Sequence, residues 1–209
     1  MQFDVLGLGN ALVDETFYVE KEFLEGTNLF FNQFKSISYE KQEAILAKLP
    51  SGETPDVMCG GSTTNSLVAT SNFGTICGHI CQLSDDDRGK LYEQNLKDNG
   101  IYSLNNFYHQ DVRTGRCLVF ITPASERTMG TYLGASERLV FDESFVTHAN
   151  NSKILFSEGY QFTSDENFEA FFRVLSEMNK EVKYGKSLSD PGVVQGFNDR
   201  FEKVIATKK

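Results

Sequence analysis

The sequence predicts an α/β fold, a parallel sheet carrying a small β-rich lid, and three observations predict it. Strand-like and helix-like runs alternate over residues 60–100 and again over 153–205, the rhythm of parallel strands joined by helical crossovers. Three β-like runs between residues 104 and 133 follow one another with no helix between them. A glycine-bearing loop closes the first strand at residues 7–10, where ligands of open parallel sheets bind.

Residues 3–8 are mostly apolar and run into Gly7-Leu8-Gly9-Asn10, which reads as a buried strand ending in a tight loop. Residues 15–20 alternate as a short strand, and residues 39–49 set Ile45, Leu46 and Leu49 on one helical stripe behind a Ser38 cap. Gly60-Gly61-Ser62 opens a helix that runs to about Phe73 and closes at Gly74. A strand follows over 76–83 with Ile76, Ile80 and Leu83, then a helix over 87–99 ended by Gly100. The runs 104–108, 116–122 and 128–133, joined by turn residues such as Thr114-Gly115 and Pro123, are expected to form an antiparallel lid with strand 15–20. Residues 153–156 resume as a strand, and 165–180 as a helix with Phe168, Phe171, Phe172 and Leu175 inward. A short strand near 187–189 precedes a last helix with Phe197, Phe201, Val204 and Ile205, ahead of Lys208-Lys209. No low-complexity linker or internal repeat divides the chain. One domain over 1–209, with lid segments at about 15–35 and 104–135 inserted in the α/β core, accounts for the layout.

Composition narrows the function. A formal charge of −9 and a pI near 4.9 argue against a nucleic-acid partner, because phosphate binding needs clustered Lys and Arg. No run approaches the roughly 18 apolar residues of a membrane span. The start MQFDVLGLGNALVDE also lacks the basic-then-apolar order of a signal peptide, so a cytoplasmic protein without a membrane partner is expected. Cys59, Cys77, Cys81 and Cys117 have no CxxC spacing, which predicts free thiols, and His79, His109 and His148 are scattered, so no metal site is expected. Gly185-Lys186-Ser187 mimics the end of a P-loop, but Lys180 stands where that loop needs its first glycine.

Two motifs carry chemistry. In Gly7-Leu8-Gly9-Asn10-Ala11-Leu12-Val13-Asp14 a dinucleotide fingerprint would need glycine at position 12, where Leu12 stands. The loop instead presents the Asn10 amide and the Asp14 carboxylate, and one carboxylate can accept from two neighbouring hydroxyls, as a sugar diol requires. Asp14 as a turn cap is the alternative. In Gly60-Gly61-Ser62-Thr63-Thr64-Asn65 the glycines admit a close backbone approach, the helix start offers free N–H groups, and Asn65 lies one turn in. That segment alone is equally compatible with a tight turn or a phosphate site.

Together, GNALVD and then GGSTTN opening a helix resemble the PfkB (ribokinase-like) carbohydrate kinases. The resemblance continues through DDDRG (85–89), TGRCLVFITPASERTMGTYLGA (114–135), Glu158-Gly159-Tyr160 and SLSDP (187–191), in the order seen in adenosine-kinase-like members. It implies a ribokinase-like fold, a three-layer sheet with helices on both faces plus the lid. It also implies ATP-dependent, Mg²⁺-assisted phosphorylation of a primary hydroxyl on a sugar or nucleoside, adenosine first, with ribokinase- or fructokinase-type activity next. Carried over by position, Asp14 and Asn65 hold ribose hydroxyls, and Asn10, Gly60, Gly61 and Ser62 line the same pocket. Arg127 is the lid arginine that swings over substrate and phosphates, and Met129 and Leu133 cover base or sugar. Tyr160 and Phe162 stand to stack on a base, although core packing explains aromatics equally well.

The family's Asn-x-x-Glu and Gly-Ala-Gly-Asp motifs, the second supplying general base and anion hole, are not found in these residues. The resemblance therefore implies an incomplete domain that lacks the C-terminal part of the sheet and is inactive alone. A non-catalytic ligand-binding fragment is the alternative. An open sheet edge or lid is expected to invite self-association.

Overall fold

A computed structural model describes residues 1–29, 31–105 and 108–207. Its strands are β1 (Phe3–Leu8), β2 (Leu12–Tyr18), β3 (Phe34–Ser36), β4 (Asp56–Gly60), β5 (Cys77–Ile80), β6 (Leu83–Ser84), β7 (Ile101–Ser103), β8 (Tyr108–His109), β9 (Gly115–Ile121), β10 (Arg127–Tyr132), β11 (Ser152–Glu158) and β12 (Lys183–Ser187). Its helices are α1 (Lys21–Glu25), α2 (Tyr39–Leu46), α3 (Ser62–Ser71), α4 (Asp87–Asp98), α5 (Glu143–Asn150), α6 (Asp165–Glu177), α7 (Pro191–Gly196) and α8 (Asn198–Thr207).

The first sheet has the order β12-β11-β1-β5-β7 and every pairing in it is parallel. Alternation along β1 explains its three layers. Leu6 and Leu8 enter a buried cluster with Phe145 and Ala149 of α5 and Phe171 and Val174 of α6. Gly7 faces the other way, and a Cβ there would lie 2.6 Å from Leu67 of α3. On that side Leu67, Cys77, Cys81, Tyr92 and Leu96 form a second cluster, each large apolar side chain contributing about 1.5–3 kcal/mol of burial. Phe162, the residue offered above as a base-stacking candidate, belongs to the first cluster instead. It is fully buried with its ring against Phe168, Phe171 and Phe201.

The second sheet, β3-β10-β9-β2-β4, holds the strands expected to form the lid, and it corrects the antiparallel expectation. β9 and β10 are antiparallel because a short turn joins them, with Ser125 in the left-handed region at φ 61°. β2 pairs with β9, and β3 with β10, in parallel, since each partner arrives by its own long connection. β4, antiparallel to β2, is an edge strand whose Asp56, Val57 and Met58 are all exposed, so it shows no alternation to read. Charge pins this sheet to the first. Arg88 of α4 donates to Glu15 Oε1 of β2 from Nε (2.9 Å) and Nη2 (2.5 Å). Arg116 of β9 stands 3.7 Å from Glu15 Oε2 and donates to Gln42 of α2 at 2.8 Å.

Other boundaries shift. The run 76–83 breaks after Ile80, and Leu83–Ser84 pairs with Tyr108–His109 in a separate ladder, while Ile76 is exposed. The run 104–108 lies partly outside the described residues, as does Lys208-Lys209. The strand placed near 187–189 is Lys183–Ser187, ahead of Ser189 at φ 64°, a backbone turn no strand accommodates. Ile205 faces solvent on α8, whose buried residues are Phe201 and Val204. The four cysteines are free thiols.

Candidate substrate-binding site

Three chain segments meet the second sheet near the carboxyl ends of β1 and β11. They are the loop after β1, the β4–α3 junction and the end of β11. They enclose a cavity of about 260 Å³. Asn10, Asp14, Gly61, Ser62, Asn65, Arg127, Met129, Leu133 and Tyr160 line it, so nine of the residues singled out above converge. The tenth, Gly60, stands behind Asp14, where a Cβ would approach Asp14 Oδ2 to 2.5 Å. Gly61 has a different reason to be glycine, with φ 104° and the Asn10 carbonyl where a Cβ would sit.

Asp14 points from β2 into the cavity, and no described residue donates a hydrogen bond to it. Burial pushes its carboxyl up to about 6, with the nearby Arg127 guanidinium pulling the other way. Asn65 and Arg127 are exposed at the mouth. Asn10 is held from below. Its backbone N–H donates to Glu158 at 2.9 Å, and its side-chain oxygen accepts from Gln161 and, at 3.4 Å, from Asn167.

Glu158 is the one charged lining residue, among the described residues, that the sequence did not single out as a ligand contact. It is 1% exposed, and both carboxylate oxygens are taken, Oε1 by Asn10 N–H and Oε2 by Thr63 N–H at 2.7 Å and Thr63 Oγ1 at 3.1 Å. Burial pushes its carboxyl up, while the donors of Asn10, Thr63 and Ser62 pull it back. The first turn of α3 therefore already has its anion, and the phosphate reading of that segment loses its main attraction. The signal present in the sequence was an acid ending the apolar strand ILFS. Leu12, Phe34, Cys117 and Thr131 also line the cavity and were not anticipated. Cys117, Met129 and Thr131 share a face by the β9–β10 register. Thr131 donates to Cys117 Sγ at 3.1 Å, and burial pushes that thiol up to about 12, which favours its protonated form. Phe34 and Tyr160 touch across one side, ring centroids 5.5 Å apart.

A wider, open cleft of about 910 Å³ runs between α4 and β7. Its acid Glu93 accepts from Ser103, Asn105 and Tyr108, and the exposed Asp85 stands 3.5 Å from Lys90. Among the described residues no three His, Cys, Asp or Glu gather to hold a metal, and no helix is long and apolar enough to cross a membrane.

The pfkB family carbohydrate kinase model matches residues 38–207. Adenosine kinase 2 of Arabidopsis thaliana is 24% identical over 209 residues, covering 96% of this chain and 59% of that protein. A probable sugar kinase from Rhizobium etli CFN 42 superposes with a TM-score of 0.89 at 23% identity, over 100% of this chain and 63% of that one. Adenosine kinase from Sinorhizobium meliloti gives 0.83 at 22% identity, over 98% and 62%. Anopheles gambiae adenosine kinase in complex with P1,P4-di(adenosine-5) tetraphosphate gives 0.85 at 22%, over 99% and 63%. This chain thus spans less than two thirds of the length of each. The solved structures carry the fold, mixed α/β over the whole chain, and the family model carries the membership: the chain belongs to the pfkB family of carbohydrate kinases.

Proposed function

We propose that this chain forms the substrate pocket and lid of an ATP-dependent kinase acting on a primary hydroxyl of a sugar or nucleoside, adenosine favoured. The observation that carries the reading is Asp14, a half-buried carboxylate with no hydrogen-bond donor among the described residues, opening onto the same cavity as Asn65. Desolvating an acid without bonding it is costly unless a ligand supplies the donors, and a vicinal diol supplies two. Asn65 adds a donor and an acceptor at the mouth, and Arg127 offers the rim a cation. The contact between Phe34 and Tyr160, with Met129 and Leu133, favours a flat apolar base on the sugar. A free-sugar kinase is the second reading, favoured by a cavity at the small end of ligand pockets.

ATP supplies the phosphoryl group and Mg²⁺ its charge neutralisation. Mg²⁺ usually rides on substrate phosphates with one or two carboxylates, and in this reading it arrives on ATP. The residues of this chain bind and orient the acceptor. General base and anion hole belong to motifs absent from the sequence, and phosphoryl transfer without them is expected to be negligible.

Calorimetric titration with adenosine, ribose and fructose tests the reading. Adenosine is expected to bind at least tenfold tighter than either sugar, and the reading is wrong if none of the three binds. Robust turnover in a coupled phosphotransfer assay of the 209-residue chain would refute the inactivity. The edge position of β12 underlies an expectation of self-association, which sedimentation over a concentration series checks.

A further inference from the structure

Asp14 and Glu158 both line the cavity, and the one cation among the described lining residues is Arg127, exposed at the mouth. The lining therefore holds two carboxylates around a space of about 260 Å³. Helix α3 would ordinarily draw an anion to its first turn. Glu158 has taken that place, spending the Thr63 N–H and the Asn10 N–H on its own oxygens. Every hydrogen-bond partner of Glu158 is a donor, which is the arrangement of an ionised carboxylate.

We infer that the cavity selects by charge, accepting polyols that are neutral or carry an ammonium in place of a hydroxyl and rejecting those with an anionic substituent on the ribose 2′ or 3′ position. Glu158 is the residue that sets this selectivity, because it replaces the helix's affinity for anions with a second buried negative charge. The inference rests on the polyol-binding reading above. An anion inside meets repulsion from two acids in a medium that screens poorly, while an ammonium at the diol position gains attraction from both.

The test is calorimetry on the unaltered chain at pH 7 with four ligands: adenosine, adenosine 3′-monophosphate, 3′-O-acetyladenosine as a neutral ligand with added bulk, and 3′-amino-3′-deoxyadenosine. The phosphate ester is expected to bind at least 30-fold weaker than adenosine and at least tenfold weaker than the acetyl ester. The amine is expected to bind within threefold of adenosine or tighter, with proton uptake visible as a difference between two buffers of unlike ionisation enthalpy. A phosphate ester that binds as well as the acetyl ester, or an amine that binds tenfold weaker than adenosine, overturns charge selection while leaving the polyol reading standing. Failure of adenosine, ribose and fructose alike removes the polyol reading, and this inference with it.

Glu158→Gln gives a second arm. Its amide must aim an N–H at one of two backbone donors, so a loss of stability is expected and is followed by circular dichroism. If the variant remains folded, the ratio of phosphate ester to adenosine affinity should rise at least tenfold, and an unchanged ratio counts against Glu158 as the determinant. If it unfolds, the four-ligand series on the unaltered chain decides.

Discussion

Asp14 and Glu158 are acids on the same cavity prepared in opposite ways. Glu158 lies buried in the floor and accepts from backbone donors of two segments far apart in sequence, so both its oxygens are engaged before any ligand arrives. Asp14 stands in the wall, half-buried, with no hydrogen-bond donor among the described residues. The difference teaches where structure ends and readiness begins. A saturated buried acid fixes the fold around it, whereas an unsaturated one stores an unmet demand that a ligand can answer.

Removing each charge should therefore break different things. Asp14→Asn is expected to weaken polyol binding more than a hundredfold, about 3 kcal/mol, since two hydrogen bonds to a charged acceptor are lost. Its melting temperature should hold or rise, because a desolvated charge has gone. Calorimetry and thermal denaturation read both, and a fall in stability with unchanged affinity would reverse the assignment. Glu158→Ala should do the converse, costing about 2–4 kcal/mol of stability by stranding the Asn10 and Thr63 N–H groups, as urea titration would register.

The same contrast marks what the sequence made legible. Asp14 and Asn65 were legible as candidates because each follows a glycine-bearing turn at the carboxyl end of a strand or the start of a helix, and the family resemblance then implied their shared role. Glu158 was not, since its meaning lies in partners 148 and 95 residues away. Strand direction in the lid was hidden for a related reason: alternation shows that β2 and β9 are strands but is blind to how their connections orient them. The short helix α5 escaped because its buried face amounts to Phe145 and Ala149, too little for a periodic signal, even though Asp142 caps it by accepting from Ser144 N–H at 2.8 Å.

A pH titration sharpens the comparison with a smaller effect. The carboxyl of Asp14 is raised from 3.8 to about 6 in the folded chain, so the folded state holds a proton that the unfolded state gives up between those values. The stability Asp14 contributes is accordingly present below pH 3.8 and lost as pH rises through 6. Ligand affinity should run the other way, growing over the same window as the acceptor ionises. Subtracting the Asp14→Asn profile isolates both trends, and a flat difference in either would show that Asp14 does not carry this titration.

His79 offers the last test, because among the described residues it is as unpartnered as Asp14 yet lines neither of the cavities described above. It lies fully buried on β5 near Tyr92, neither ring nitrogen has a hydrogen-bond partner among those residues, and burial pushes its pKa down to about 3. If an unmet polar group signals function only where a ligand can reach it, His79 is simply a cost. Replacing it with an apolar side chain of similar size should then stabilise the chain and leave binding alone. His79→Leu is expected to add about 1 kcal/mol at neutral pH, and more as pH falls below 6.5, where the unfolded histidine binds a proton that the folded one refuses. Adenosine affinity should stay within twofold. A loss of affinity in His79→Leu would mean that unmet burial reports on the site from a distance, and the distinction drawn between cavity wall and core would fail.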